Sequence, residues 1–564
     1  MASSASAART PSTGGAQAPM APLSMPVRRG SNRQENICLL AACLTAVLYT
    51  LSSLSPMLWI CGLLAPLPIL VAAPDVSIAV AAQCAFIGYL LGSVAFWMAE
   101  VGIVPAPMLL IGHAAGAMVF ATAVAAAGEA TRRWSGILAS VTFPAIMAAF
   151  YFAAGNFSPF GRWGDPAYLL AGFTPLVQSV SVVGTCGINF AAALVPACIA
   201  VAWYRRNWHM EWLSSAIVCG ATFGIVLLGG TLHMFTATNT STVRVGMVAV
   251  APPAKAAAPD DLAAAADLVT NYAKLVQQAA AKGAKVVVLP EKVFAVSPKY
   301  EFDIEEGFRN IASMSQVWLA VGFDQVARTP MHNIAMLFTP DGKIDFYVEH
   351  HLKPALELGY RPGRMFVTFD PPWGKTAVVV ASDLDFPDTG RELSNVGVKL
   401  VLAPGWGWPG NTAELHRAIS RISGIEGGFA VARSGHHGAV FGADSRGREI
   451  AAGTLGEDNS PTVVVADLPV GGGRTLYSRG AGDWFARFMI LISIFVLARF
   501  GIGVRRQILT RMQYGLKVAA PAVAAAAAAQ TAAAAKPEAP PPPPKKEAAE
   551  PEIYHAMKRP PSDY

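Results

Sequence analysis

Eight apolar runs decide most of what this chain can fold into. They lie near Ile37–Ser53, Pro56–Ala73, Ser77–Ala99, Pro105–Ala127, Ser135–Ala154, Val180–Trp203, Leu213–Phe235 and Trp484–Phe500, and they hold almost no Lys, Arg, Asp or Glu. A helix crosses a bilayer with about 20 apolar residues, because a helix satisfies its own backbone where no water reaches. The runs therefore predict a multi-pass α-helical membrane protein with about eight transmembrane helices. The first two are short and share a Ser55-Pro56 turn, which suits a tilted hairpin. Composition agrees: 14% of residues are charged, against about 25% in soluble domains, and mean hydropathy is +0.41.

The basic residues cluster at the ends of these runs. Arg28, Arg29 and Arg33 precede the first. Arg132 and Arg133 lie between the fourth and fifth, Arg205 and Arg206 between the sixth and seventh, and Arg505, Arg506, Arg511 and Lys517 follow the eighth. With the N-terminus in the cytoplasm, every cluster falls on the cytoplasmic face, as the positive-inside rule asks. Both termini are then expected in the cytoplasm and the soluble domain outside it, which for a bacterial inner membrane means the periplasm. A net charge of +6 spread this way is not a nucleic-acid footprint. All seven cysteines, from Cys38 to Cys219, fall in the apolar half without metal-ligand or redox spacing. They read as small apolar residues, and no metal or cofactor is expected.

Residues 1–35, rich in Ala, Ser, Pro and Gly, read as a disordered N-terminal tail. Residues 36–236 hold helices one to seven, 240–470 a soluble domain, 484–503 the eighth helix, and 504–564 an Ala/Pro-rich tail with polyproline at Pro540–Pro544. That tail reads as disordered, with docking to a cytoplasmic partner as the alternative; Ala522–Ala535 suits a transient helix.

The soluble domain alternates strand-like and helix-like runs. Val243–Val250, Val286–Leu289, Val317–Gly322, Ile334–Phe338, Ile344–Glu349, Thr376–Ala381, Val398–Leu402, Ala430–Arg433 and Gly438–Ala443 read as strands, several of them continuous apolar runs suited to burial on both faces. Leu262–Lys282 and Ala413–Glu426 have helical spacing. This order predicts a layered α/β fold.

Within it, Leu289-Pro290-Glu291 closes a buried strand. Asn333 and the Thr339–Lys343 turn precede Tyr347–Glu357, and Val380–Pro387, Ala403-Pro404-Gly405-Trp406 and Glu426-Gly427-Gly428-Phe429 follow. In this order and spacing the motifs resemble the nitrilase superfamily of carbon–nitrogen hydrolases. The flanking helices narrow the resemblance to its apolipoprotein N-acyltransferase branch, whose pattern is eight helices with the nitrilase-like domain between the last two. Gly172–Gln178 before helix six, and Tyr477-Ser478-Arg479 with Gly482-Asp483-Trp484 entering helix eight, agree with it. The resemblance implies an αββα sandwich, membrane lipid as acyl donor and a lipoprotein N-terminus as acceptor.

It also implies a Glu–Lys–Cys triad: a thiolate that attacks an acyl carbonyl, a carboxylate that moves the proton, and an ammonium that holds the oxyanion. Carried over by position, the glutamate is Glu291. The lysine position, two residues before His351-Leu352, holds Glu349. The cysteine position, two residues before Asp383, holds Ala381. A methyl group attacks nothing, and a carboxylate repels an oxyanion.

Substitutes are few. If the strand runs on through Ser382, its hydroxyl points away from the side of Ala381. Lys353 reads as a solvated loop lysine, or else as a cation that swings into the pocket. His350, His351, His416, His436 and His437 show no familiar metal spacing. Among motif residues near the pocket, Glu357 is an assisting carboxylate and Glu426 reads as structural. The readings left open are a catalytically inactive homologue that binds lipid, lipoprotein or a partner, an engineered nucleophile-dead acyltransferase, and an amidase or acyltransferase relocated to Ser382 and Lys353.

Overall fold

The computed structural model describes residues 32–98, 101, 104–207, 210–235, 241–252, 262–295, 297–326, 328–353, 356–407, 411–436, 440–456 and 458–534. Nearly all of the expected N-terminal tail, the polyproline stretch and His437 lie outside them. The chain divides into two compact units after Phe500. The described part of the second unit is helical up to Ala534, which covers the described part, Ala522 to Ala534, of the expected Ala-rich helix.

Among the described residues, seven helices are long and apolar enough to cross a membrane by length and composition: Asn32–Leu54, Ile78–Met98, Ala106–Arg133, Gly136–Phe157, Val180–Tyr204, Glu211–Phe235 and Trp484–Thr510. The second expected run forms a shorter apolar segment, Trp59–Asp75. Its turns restart at prolines, which open a helix but cannot continue one. Small residues set the closest packing. A side chain added at Gly88 would begin 2.9 Å from the carbonyl oxygen of Ala42, so only glycine lets these helices meet there.

The soluble domain is an α/β sandwich of two mixed sheets. The first joins β1 (Thr242–Ala249), β2 (Val286–Val288), β3 (Phe294–Ala295), β4 (Trp318–Asp324), β5 (Asn333–Phe338), β6 (Ile344–Val348) and β13, in the order β13-β1-β2-β4-β5-β6 with β3 beside β4. The second runs β12 (Glu449–Gly453), β11 (Val440–Ala443), β10 (Ala430–Ser434), β9 (Leu400–Pro404), β8 (Thr376–Val378) and β7 (Val367–Phe369). Strand β13 is Thr462–Pro469, and it pairs antiparallel with β1 from Thr242↔Pro469 to Ala249↔Thr462. The domain therefore opens and closes on one ladder, which returns the chain to its starting edge.

Alternate residues of β1 divide between two cores, as the period of a strand requires. Val243, Val245, Met247 and Ala249 join the core between the sheets, with Val378, Val401 and Val431. Val248 faces an outer core under the helices Leu262–Ala281 and Glu301–Ser315, with Tyr272, Phe308 and Phe338. Outside the second sheet lie Pro387–Asn395 and Asn411–Gly427. The latter buries Ile419, Ile422 and Ile425 against Phe160, Trp163, Tyr168 and Leu176 from the membrane half. This apolar seam joins the two halves.

Candidate active site

Three carboxylates from separate segments meet at one amide. Glu291 follows β2, Glu349 follows β6, Glu357 lies in the loop beyond, and Asn333 opens β5. Pairing of β5 with β6 continues one step past Ile334↔Val348, where the Glu349 amide donates to the Asn333 carbonyl at 2.9 Å. The Asn333 Nδ2 group then donates to Glu291 Oε1 at 2.8 Å, to Glu349 Oε2 at 2.7 Å and to Glu357 Oε1 at 3.3 Å. Asn333 and Glu349 are fully buried, and Glu291 and Glu357 nearly so.

One oxygen from each glutamate lies within 4.8 Å of the others, a spacing that would suit a cation. The residues around them do not fit one. Their common neighbour is an amide N–H, whose positive end would face the ion. Two ammonium groups already sit against the three carboxyls: Lys292 Nζ is 2.9 Å from Glu357 Oε1, and Lys353 Nζ is 3.9 Å from Glu349 Oε1. Lys292 reaches the cluster from a left-handed backbone, φ +51°.

The electrostatics separate two of the carboxyls. Burial pushes the Glu349 carboxyl well above the ordinary range; Lys353 pulls it back, and Glu357, Asp383 and Glu291 push it further up. Glu357 is held down at about 2: burial opposes this, but Lys292, Lys353 and the Lys353 backbone N–H outweigh it. Burial alone would depress Lys353, yet Glu349, Glu291 and Glu357 raise it. Lys353 is thus a largely enclosed member of the site, with 12% of its side chain exposed, and not a solvated loop lysine.

Ser382 also departs from the expected geometry. Strand β8 stops at Val378, and Ala381–Asp385 is one turn of 3-10 helix. Alternation ends with the strand, so the Ser382 hydroxyl turns into the site and donates to Glu349 Oε1 at 2.5 Å. Ala381 is fully buried, its Cβ 3.0 Å from where a side chain on Gly405 would begin. The Arg433 Nε lies 3.2 Å from the same point.

Above them is a cavity of about 300 Å³, lined by Glu291, Lys292, Lys353, Leu356, Glu357, Ser382, Trp406, His416 and Arg433. His416 and Arg433 were not distinguished by sequence spacing, because their partners are remote. His416 Nδ1 lies 3.3 Å from Asp385 Oδ1, and Asp385 Oδ2 accepts the indole N–H of Trp163, from the membrane half, at 2.8 Å. His416 Nε2 and Arg433 Nε have no partner among the described residues. Glu426, by contrast, accepts from Arg162 Nη1 at 2.5 Å and from the Thr185 amide at 3.1 Å, away from the cavity.

This sandwich and site define a carbon–nitrogen hydrolase domain: residues 247–471 match the family profile described as "Carbon-nitrogen hydrolase". Over 410 residues the chain is 23% identical to apolipoprotein N-acyltransferase 2 of Treponema denticola, covering 63% of this chain and 75% of that enzyme. The family match thus belongs to the domain between the apolar helices, and the similarity to that acyltransferase extends beyond it into those helices. The chain is also 27% identical over 151 residues to a nitrilase of Pyrococcus abyssi, covering 24% of this chain and 58% of the nitrilase's length. Among solved structures, a mutant amidase of the nitrilase superfamily from Nesterenkonia AN1 aligns with a TM-score of 0.35 and 18% identity, over 42% of this chain and 94% of the amidase.

Proposed function

We propose that this membrane protein keeps the acyltransferase architecture as a binding module and has lost cysteine-based acyl transfer. The observation that carries this reading is the setting of Glu349. It stands at the position where the resemblance implies lysine, and three neighbours receive it: Ser382, Asn333 and Lys353. A single disabling substitution would leave a carboxyl without such partners. Ala381, at the position where the resemblance implies cysteine, offers no nucleophile, and no cysteine follows Cys219. The cavity then holds a ligand without a covalent step. The positive clusters support a periplasmic domain.

The test is complementation of a bacterium depleted of its own apolipoprotein N-acyltransferase, with thioester trapping from a phospholipid donor. Neither rescue nor trapping is expected; rescue overturns the reading.

The Ser382–Glu349 hydrogen bond favours one alternative, a serine nucleophile with Glu349 as base and Lys353 as cation. Labelling of Ser382 by a fluorophosphonate probe would select this alternative.

A further inference from the structure

A second cleft, of about 650 Å³, lies between the two halves and shares no lining residue with the cavity over Ser382. Its membrane side is the end of Gly136–Phe157, with Phe152 and Phe157, and the start of the last helix, with Asp483 and Arg487. Its other wall comes from the soluble domain, with His351, Phe386, Pro387, Asp388 and Arg391. We propose that this cleft binds one anionic glycerophospholipid as a resident ligand, its phosphate against Arg487 and its chains along the outer face of the last helix.

Position, charge and shape support this independently. Both helices are of membrane-spanning length, so their ends lie at headgroup depth. The polar lining holds three cationic side chains and two acidic ones. Asp388 Oδ2 sits 3.0 Å from His351 Nε2, and Asp483 is bonded to Arg391. Arg487 remains, exposed and with no acidic partner among the described residues. One uncompensated cation beside aromatic walls suits a phosphodiester on an apolar tail. It disfavours a cationic peptide N-terminus. Past Arg487 on the same helical face come Leu491 and Ile494, 64% and 60% exposed, and Phe157 beside the cleft is 87% exposed. A soluble anion would make no use of that surface.

The test uses the full chain purified in maltoside, with native mass spectrometry after titration by dioleoyl phosphatidylglycerol. One retained lipid per chain is expected. Arg487→Ala should cut retention about tenfold, a fold-change typical of losing one charged contact, while Arg487→Lys keeps most of it. Arg505→Ala, further along the chain, should leave retention unchanged, and thermal unfolding should confirm that each variant is folded. Equal retention by Arg487→Ala overturns the proposal. So does equal retention of dioleoyl phosphatidylcholine, which would mean nonspecific contact, or equal binding of glycerol 3-phosphate, which would mean a soluble anion site.

Discussion

Arg162 of the membrane half and Glu426 of the hydrolase domain form a buried ion pair, 2.5 Å apart, with 4% and 5% of their side chains exposed. Breaking one side strands the other charge in the apolar seam, which typically costs about 3–5 kcal/mol. Glu426→Ala and Arg162→Ala should each lower the thermal midpoint in detergent by many degrees. The double variant should lose less than the sum of the two, because it strands nothing. Additive losses would place the pair's energy elsewhere.

Glu349→Gln should be tolerated, and its effect should depend on pH. A buried acid with a raised folded pKa binds its proton more tightly folded than unfolded. The wild type therefore loses stability as pH rises above the unfolded value of 4.5. The glutamine escapes this loss, so the variant should gain on the wild type by at most about 1.4 kcal/mol per pH unit. Midpoints measured from pH 5 to 8 check it; parallel curves would mean that Glu349 is ionised.

His351 gives a second pH dependence. Although burial opposes its charge, Asp383 and Asp388, each 3.0 Å from a ring nitrogen, raise the imidazole from 6.5 to about 9. A raised histidine contributes fully below the unfolded pKa, and the contribution is lost as pH rises through the folded value. Stability should therefore fall between pH 6.5 and about 9, and His351→Gln should flatten that part of the profile. A slope unchanged in the variant would assign it to another group.

Repair of the triad tests the positional match. Ala381→Cys with Glu349→Lys should react with maleimide faster than the sum of the two single variants, in a background whose seven native cysteines are Ala or Ser. Neighbouring carboxylates raise a thiol's pKa and a neighbouring lysine lowers it. Equal rates in the single Ala381→Cys and the double variant would show that Arg433 or Lys353 already supplies the positive charge.

Removing Asn333 should disturb more than either acid alone. Asn333→Ala takes away the amide that Glu291, Glu349 and Glu357 share. A lost bond to a buried carboxylate costs about 1.5–3 kcal/mol, and here three are lost. A midpoint lowered no further than by Glu349→Gln would make the amide dispensable.

Local pattern made much of this fold legible. Val243–Val250 is rich in β-branched residues and Val286–Leu289 is a continuous apolar run, and both became inner strands of the first sheet. The helix Glu301–Ser315 escaped, although Ile304, Phe308, Ile311 and Ala312 mark its buried face, because acidic residues dilute the apolar signal. Apolar character from Thr376 suggested a strand to Ala381, with Ser382 facing away if it ran on; the backbone leaves the strand after Val378, and no local residue announces the turn. Glu291, Glu349 and Ala381 were placed by motif. Their shared amide, the inward Lys353 and the Trp163–Asp385–His416 chain depend on contacts between distant segments, which periodicity does not encode.

The pairing of Thr242 with Pro469 has a mechanical consequence. The helices leading into and out of the domain pull on adjacent residues at one end of the same ladder. If those helices move apart, the bonds that hold Gly471 and Gly473 to Lys399 and Gly428 give way first, and the ladder behind them then peels in sequence, as a zipper opens, rather than shearing all at once. Peeling requires far less force than shearing the same number of bonds. Once those anchors are released, lateral movement of two membrane helices would open the ladder from one end and reach β1, a strand of the core between the sheets.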